Sequence, residues 1–459
     1  MKRENDLEND SIKQLVWRIA IPSMLAQFVS VLYSIVDRIY IGNIPQIGDL
    51  ALAGVGVCGP IVTMVGSVAF WIGIGGSPLM SIRMGEKNIE AARKILANCF
   101  LMLLVFSGLM MAIIMPLTTP MLQLFGASEA TLPYAKTYFL VYMCGTVFAL
   151  MATGLNQFII AQGYANTGMK SVVIGAVLNI LLDPLFIFVF HMGVAGAALA
   201  TVLSQLASCI FVLRFLFGKY VPVRITFGGY DLRVIGRVLL LGFTPFLIIA
   251  IDNVMIIAMN AVLQHYGGAA QGDTLITCAT IVQSFMLVIT MPLSGITGGT
   301  QTILGYNYGA RRPDRVMGAQ KYIVLLCVVF TAIMFVIAWT ISPLFIRLFT
   351  QDAALIDQTA WAIRVCTLAI VPLGVQYELV DGFTAIGKVQ FSLPLSFWRK
   401  LVYFLAVFLI PMFFEVRYVF FAETISDILG PAVTIVVYLF SMKKLMRACR
   451  PLPAQKENA

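Results

Sequence analysis

The chain has 459 residues, of which 60% are hydrophobic and 12% charged, about half the charged share of an ordinary soluble domain. At roughly 20 apolar residues per membrane-crossing helix, this length holds about a dozen spans and leaves no room for a sizeable soluble domain. The formal charge of +9 is spread over short connections rather than gathered on one face, which argues against a nucleic-acid partner.

The opening stretch, MKRENDLENDSIKQLVWRIAIP, is acidic as well as basic and has no small-residue cleavage signature, so the first apolar segment is expected to stay in the protein. Residues 1–14 are assigned to a cytoplasmic segment. A first six-helix lobe over 15–217 follows, with spans predicted at 15–41, 51–80, 96–118, 132–161, 170–190 and 193–217. The polar stretch 218–235 is assigned to a cytoplasmic connection. A second lobe over 236–442 carries spans at 236–262, 275–303, 320–342, 357–385, 391–413 and 420–442, and 443–459 forms a cytoplasmic tail. Most of the 31 Lys and Arg fall at the termini or in alternate connections, such as Arg83, Lys87, Arg93 and Lys94, which sets both termini in the cytoplasm of a multi-pass cell-membrane protein.

The two halves echo each other. GIGGSPLMSIRMGEKNIEAAR from Gly73 resembles GITGGTQTILGYNYGARRPDR from Gly295, Pro22 has a counterpart in Pro245, and the stretch from Gly163 to Gly168 is aligned with Gly382 to Gly387. Two six-helix halves of like orientation are expected, since six spans return the chain to its starting side, and transporters bind substrate between such repeats.

Polar groups inside apolar spans carry the functional signal, because each ionisable group there costs at least about 2.5 kcal/mol. In the first half these are Asp37, in LYSIVDRIYIGN, and Asp183, in VVIGAVLNILLDPLFIF. Asn179 lies four residues before Asp183, on the same helical face. Asn156, Gln157 and Gln162 follow along the fourth span, and Thr201 sits in AGAALATVLSQL. Two carboxylates with nearby amide and hydroxyl oxygens suit a hard monovalent cation or a shared proton. The structural alternative pairs Asp37 with Arg38 and leaves Asp183 at a helix interface. In the second half Asp252, Gln283, Glu378, Asp381 and Arg399 either line a cleft for a cationic substrate or pair internally, with Arg399 and Lys400 snorkelling if their span starts later. Pro22 is a candidate bend in the first span.

Other chemistries are argued against. Seven of eight cysteines lie in apolar runs without a CxxC pair, so neither a disulfide framework nor a zinc site is expected. Gly54-Val-Gly56-Val-Cys58-Gly59 fits GxGxxG but lies in an apolar helix, where it signals close packing. There is no GxxxxGK[ST] motif for ATP, and the only histidines, His191 and His265, form no triad. No enzyme activity and no cofactor are expected.

Taken together, Pro22 with LYSIVDRIYIGN, ALAGVGVCGPI, GIGGSPLMSIRMGEKN, LNILLDPLFIF with GVAGAALAT, and GYNYGARRPDRV resemble the multidrug and toxic compound extrusion (MATE) family over nearly the whole chain, and its DinF/MepA-like branch most. The resemblance implies an all-α, V-shaped pair of six-helix lobes working as a monomer. It implies export of a small-molecule drug or toxic metabolite driven by entry of Na+ or H+, the cation held by Asp37, Asn156, Asn179, Asp183 and Thr201, and Pro22 at a helix bend. A lipid-linked oligosaccharide flippase of the same superfamily and a non-transporting receptor remain the alternatives.

Overall fold

The computed structural model describes residues 5–125, 127–219 and 221–449, with only the backbone of Asp49, Ala269, Ala270 and Asp273. Expectations for residues 1–4 and for 450–459 of the tail lie outside it. In hydrocarbon every backbone amide needs a partner within its own segment, and apolar runs of this length satisfy that need as helices. Among the described residues every regular element is helical.

The first half contains α1 (Ile12–Gly42), α2 (Gly48–Gly85), α3 (Ile89–Ile114), the short α4 (Thr118–Leu124), α5 (Leu132–Cys144), α6 (Thr146–Ile160), α7 (Ala165–Pro184) and α8 (Gly193–Leu216). The second half contains α9 (Leu232–Gly309), α10 (Pro313–Thr340), the short α11 (Ser342–Ile346), α12 (Ala353–Cys366), α13 (Ile370–Ala385), α14 (Val389–Phe413) and α15 (Phe421–Cys449). α9 breaks at Gly268, whose φ is 59°, into limbs Leu232–Gly268 and Thr274–Gly309 that are each long enough to span. Among the described residues ten helices have the length and apolarity to cross a membrane, or twelve when each of two bent pairs counts as one span.

Those bent pairs correct the expectation of continuous fourth and tenth spans. The fourth is bent by 56° between α5 and α6, and the tenth by 47° between α12 and α13. The third and ninth spans also start earlier than predicted, at Ile89 and Pro313. Asn88 Oδ1 accepts from the Ala91 amide at 3.0 Å, and Pro313 occupies the first turn of its helix; both are favourable helix starts whose charged first turns lie outside the apolar run.

The repeat is visible in the backbone. The same sequence distance separates Gly85 from Gly309 at the ends of α2 and α9, Lys87 from Arg311 at φ of 61° and 55°, and Gly163 from Gly387 at φ of 89° and 73°. This shifts one sequence alignment: the counterpart of Gly163 is Gly387, because both form the left-handed turn between consecutive helices, a conformation open to glycine.

Packing divides the molecule into three cores. One, at the face carrying the chain ends, mixes both halves, joining Leu15, Met80, Leu96 and Phe158 to Ile303, Val316 and Phe383. Toward the opposite face two separate cores form, one around Ile61, Phe139 and Ala198 of the first half and one around Leu263, Ile289 and Ile363 of the second. The lobes are thus joined at one end and separate at the other, the V shape. At the joined end a Cβ on Gly85 would strike the Tyr306 carbonyl, and one on Gly309 the Ile82 carbonyl, so these helix ends meet at a distance only glycine allows.

The segment before α1 bridges the joined end. Asn5 Nδ2 donates to the Gly163 carbonyl at 2.7 Å, and Arg315 Nη2 donates to the Asp10 carbonyl at 2.9 Å. Glu8 takes Lys87 of the first lobe and Arg312 Nη2 of the second at 3.3 Å, and Tyr306 donates its hydroxyl to it. The bond from Lys87 holds the Glu8 carboxyl below its usual range.

Candidate functional site

Asp37 on α1 and Asp183 at the end of α7 come within hydrogen-bonding reach of each other. Asp183 and Asn179 are fully buried, at 0% and 2% exposure. The four-residue spacing works as expected: Asn179 Nδ2 donates to Asp183 Oδ1 at 3.2 Å and lies 3.4 Å from Thr201 Oγ1 on α8. The Thr201 hydroxyl in turn donates to the Ala197 carbonyl at 3.0 Å. Just past Asp183, Pro184 has no amide hydrogen, and the chain loosens into a π-helical turn over Leu185–Val189.

What this arrangement lacks, among the described residues, is a paired cation. Arg38 is exposed, and among the described residues no cation lies within ion-pair distance of either carboxylate. The proposed Asp37–Arg38 pair therefore does not form. Three buried acceptors, Asp37 Oδ1, Asn179 Oδ1 and Asp183 Oδ2, have no donor, an expensive state for oxygen atoms away from water. Two carboxylates at this range repel each other unless a cation or a shared proton lies between them. The residues fit such a guest: an oxygen-only set from three helices, aimed inward. Tyr33 and Tyr138 approach Asp37, and the stacked rings of Tyr138 and Tyr142 lie 6.2 Å apart.

Asn156 is not brought into hydrogen-bonding contact with the pair. Its Oδ1 accepts from Ser171 Oγ at 3.1 Å, and Ser171 precedes Asp183 by three helical turns, roughly 18 Å along α7. Gln162 is structural, its Oε1 accepting from the Val223 amide at 2.8 Å in the connection between lobes. Gln157 packs beside Gly73. Pro22 lies within α1, which runs unbroken from Ile12 to Gly42.

In the second lobe the polar residues separate into two groups. Glu378 is buried, its Oε1 accepting from Gln320 Nε2 at 2.9 Å, and Asp381 lies near Thr297 and Gln301. Asp252, Gln283 and Arg399 instead line a cavity of about 250 Å³ with Lys400, Glu423, Tyr377 and Tyr403. Arg399 does not snorkel. Its side chain is 11% exposed and pairs with Asp427 at 2.9 Å and Glu423 at 3.7 Å. Lys400 pairs with Asp252. Sequence reasoning missed Glu423 and Asp427, although their four-residue spacing in FAETISDILGP carries the same signal as Asn179 and Asp183.

Comparison with known proteins agrees with this architecture. The MatE family model matches residues 22–185 and 246–409, one copy per lobe at the same spacing as the paired turns. The multidrug export protein MepA of Staphylococcus saprophyticus is 23% identical over 94% of this chain and 95% of its own. Among solved structures, the outward-facing conformation of a MATE family multidrug resistance transporter aligns with a TM-score of 0.90 at 22% identity, covering 97% of this chain and 99% of the other. A MOP superfamily transporter from Pyrococcus furiosus aligns with the same score, identity and coverage. Two copies of the family pattern, one in each half of the chain, show that the chain belongs to the MATE family of membrane transporters.

Proposed function

We propose that the chain exports organic, cationic or amphipathic small molecules across the cell membrane in exchange for Na+ or H+, acting as a monomer with both termini in the cytoplasm. One observation carries this reading: Asp37 and Asp183 face each other with three donorless buried oxygens and no internal cation. The name of the Staphylococcus saprophyticus relative, a multidrug export protein, supports the same direction of transport.

A cation entering from the open end of the V neutralises the Asp37–Asp183 pair, with Asn179 and Thr201 as the other oxygens and Asn156 further along the same bundle. Because Asp37 is on α1 and Asp183 on α7, neutralisation relieves the repulsion between those helices. Pro22 lowers the cost of bending α1 in response, since a proline leaves a carbonyl without its helical partner. Coupling then needs only that drug and cation favour different states of the carrier.

The test is efflux of a fluorescent organic cation from vesicles holding the purified protein, driven by a sodium gradient and a pH gradient in separate runs. At least one gradient is expected to drive movement, and its collapse to stop it. Movement that persists with both gradients collapsed would overturn the exchange reading.

A further inference from the structure

The polar connection between the lobes does not stand away from the membrane. Asn98 Nδ2 donates to the Gly229 carbonyl at 3.3 Å, and Asn98 Oδ1 accepts from the Asp231 amide at 3.0 Å. The Phe227 ring packs on Phe100 and Phe217, with centres 6.1 and 5.9 Å away, and Gly229 lies against the Lys94 side chain. Beyond Lys94, α3 carries no charged residue, so Asn98 and Phe100 belong to its membrane-crossing part. The connection therefore passes across α3 where the apolar run begins, at the level of the lipid headgroups.

Its outer surface is aromatic and basic. Phe227 is 73% exposed and Leu232 83%, with Phe217 and Tyr230 also exposed. The segments that meet here, residues 89–100 and 214–237, contain seven Lys and Arg against two acids, Glu90 and Asp231. Glu90 pairs with Lys94 at 3.2 Å, and Asp231 Oδ1 caps α9 by accepting from the Arg233 amide at 2.8 Å. Among the described residues Arg93, Arg214, Lys219, Arg224, Arg233 and Arg237 have no ion-pair partner. Arg93 stands out among them, because its Nε is enclosed and meets no acceptor, a costly state for a donor shielded from water. Phe100 lies two turns further along the same face of α3. The guanidinium is thus on the chain-end side of the aromatic cluster, where a headgroup lies when its acyl chains touch the rings. A guanidinium is also the side-chain group that matches phosphate geometry best.

We propose that this surface is a seat for an anionic phospholipid of the leaflet on the side of the chain ends, with Arg93 and Lys94 taking the phosphate and Phe227 lying against the acyl chains. A zwitterionic lipid meets the same aromatic surface but brings its own cation to a face already rich in them, so the seat prefers a headgroup of net negative charge. Because the connection joins α8 to α9, the lipid holds the stretch of chain that passes from one lobe to the other. The seat is independent of the cargo and of the Asp37–Asp183 pair.

The experiment is native mass spectrometry of the delipidated full-length protein, titrated with phosphatidylglycerol or with phosphatidylcholine of identical chains. Wild type is expected to bind its first phosphatidylglycerol about tenfold more tightly than its first phosphatidylcholine. Arg93→Gln with Lys94→Gln should bring the two lipids to within about twofold of each other. Phe227→Ser, at an exposed position that the fold tolerates, should weaken both lipids by about threefold or more. Lys443→Gln with Lys444→Gln, which removes two exposed bases of α15 at the same face, should keep the wild-type preference. Equal binding of the two lipids by wild type, or a preference that survives Arg93→Gln with Lys94→Gln, overturns the seat. A preference lost equally in the α15 variant also overturns it, since the cause is then the overall charge of the face. Soluble glycerol phosphate should not displace the lipid, having nothing to lay against Phe227, and displacement by it would sink the lipid assignment.

Discussion

The two lobes differ in how their acid clusters meet positive charge. In the first, Asp37 and Asp183 face each other without an ion-pair partner among the described residues, and Asp37 Oδ1 and Asp183 Oδ2 lack donors. In the second, Asp427 and Asp252 each meet a basic side chain from α14, while Glu378 has no ion-pair partner among the described residues, accepts from Gln320 through one oxygen and keeps the other without a donor. An acid inside a membrane protein persists when something neutralises it. If the protein supplies the counter-charge, the acid is part of the structure; if the counter-charge must come from outside, the acid is a binding site.

The sharpest way to break this contrast is to remove the charges of the first lobe. Asp37→Asn with Asp183→Asn should reduce gradient-driven efflux from vesicles to background while the protein still inserts and purifies as wild type. Efflux retained by this double variant would put the coupling site elsewhere. Next in size is Arg399→Met, which strands Asp427 and should cost about 3–5 kcal/mol, as loss of one partner of a buried pair does. Heating the detergent-solubilised protein and measuring the fraction left unaggregated reads this effect. Arg399→Met combined with Asp427→Leu should recover most of the loss. Asp183→Asn, which removes repulsion instead of orphaning a charge, should not lower thermal stability, and a large drop there would erase the difference between the lobes.

The smallest expected effect concerns the joined end. Glu8→Gln releases Lys87 and Arg312, which belong to different lobes, from one carboxylate. Lys87 is 64% exposed and Arg312 42%, so the loss is held to at most about 1 kcal/mol. Alkylation of Ser81→Cys, a buried position beside Gly305, should then speed up by about fivefold or less as the lobes part more often. Because the Glu8 carboxyl is held below its usual range, its contribution is complete at neutral pH and lost only as pH falls through that lowered range.

Much of the fold was legible because hydropathy and the Lys/Arg distribution report on the solvent, and a bilayer leaves helices as the open choice. The face shared by Asn179 and Asp183 was legible for the same reason, since four residues make about one turn. The breaks in the fourth and tenth spans were not. Gly145 and Thr367 are single small or polar residues inside otherwise apolar runs, and what sets Gly145 apart, an approach to Val202 too close for a Cβ, belongs to the packing. Arg399 was ambiguous in sequence because its partner Asp427 lies a helix away, and a pairing between helices leaves no local pattern.

Sequence alone therefore determined that this is a many-span membrane protein of repeated halves with acids in its interior. Periodicity, hydropathy and repetition are properties of neighbouring residues, and they suffice for that. Only the tertiary structure decided which acids are neutralised from within and which are left for a guest. Neutralisation depends on charges brought within about 4 Å from different helices, and that distance is fixed by packing.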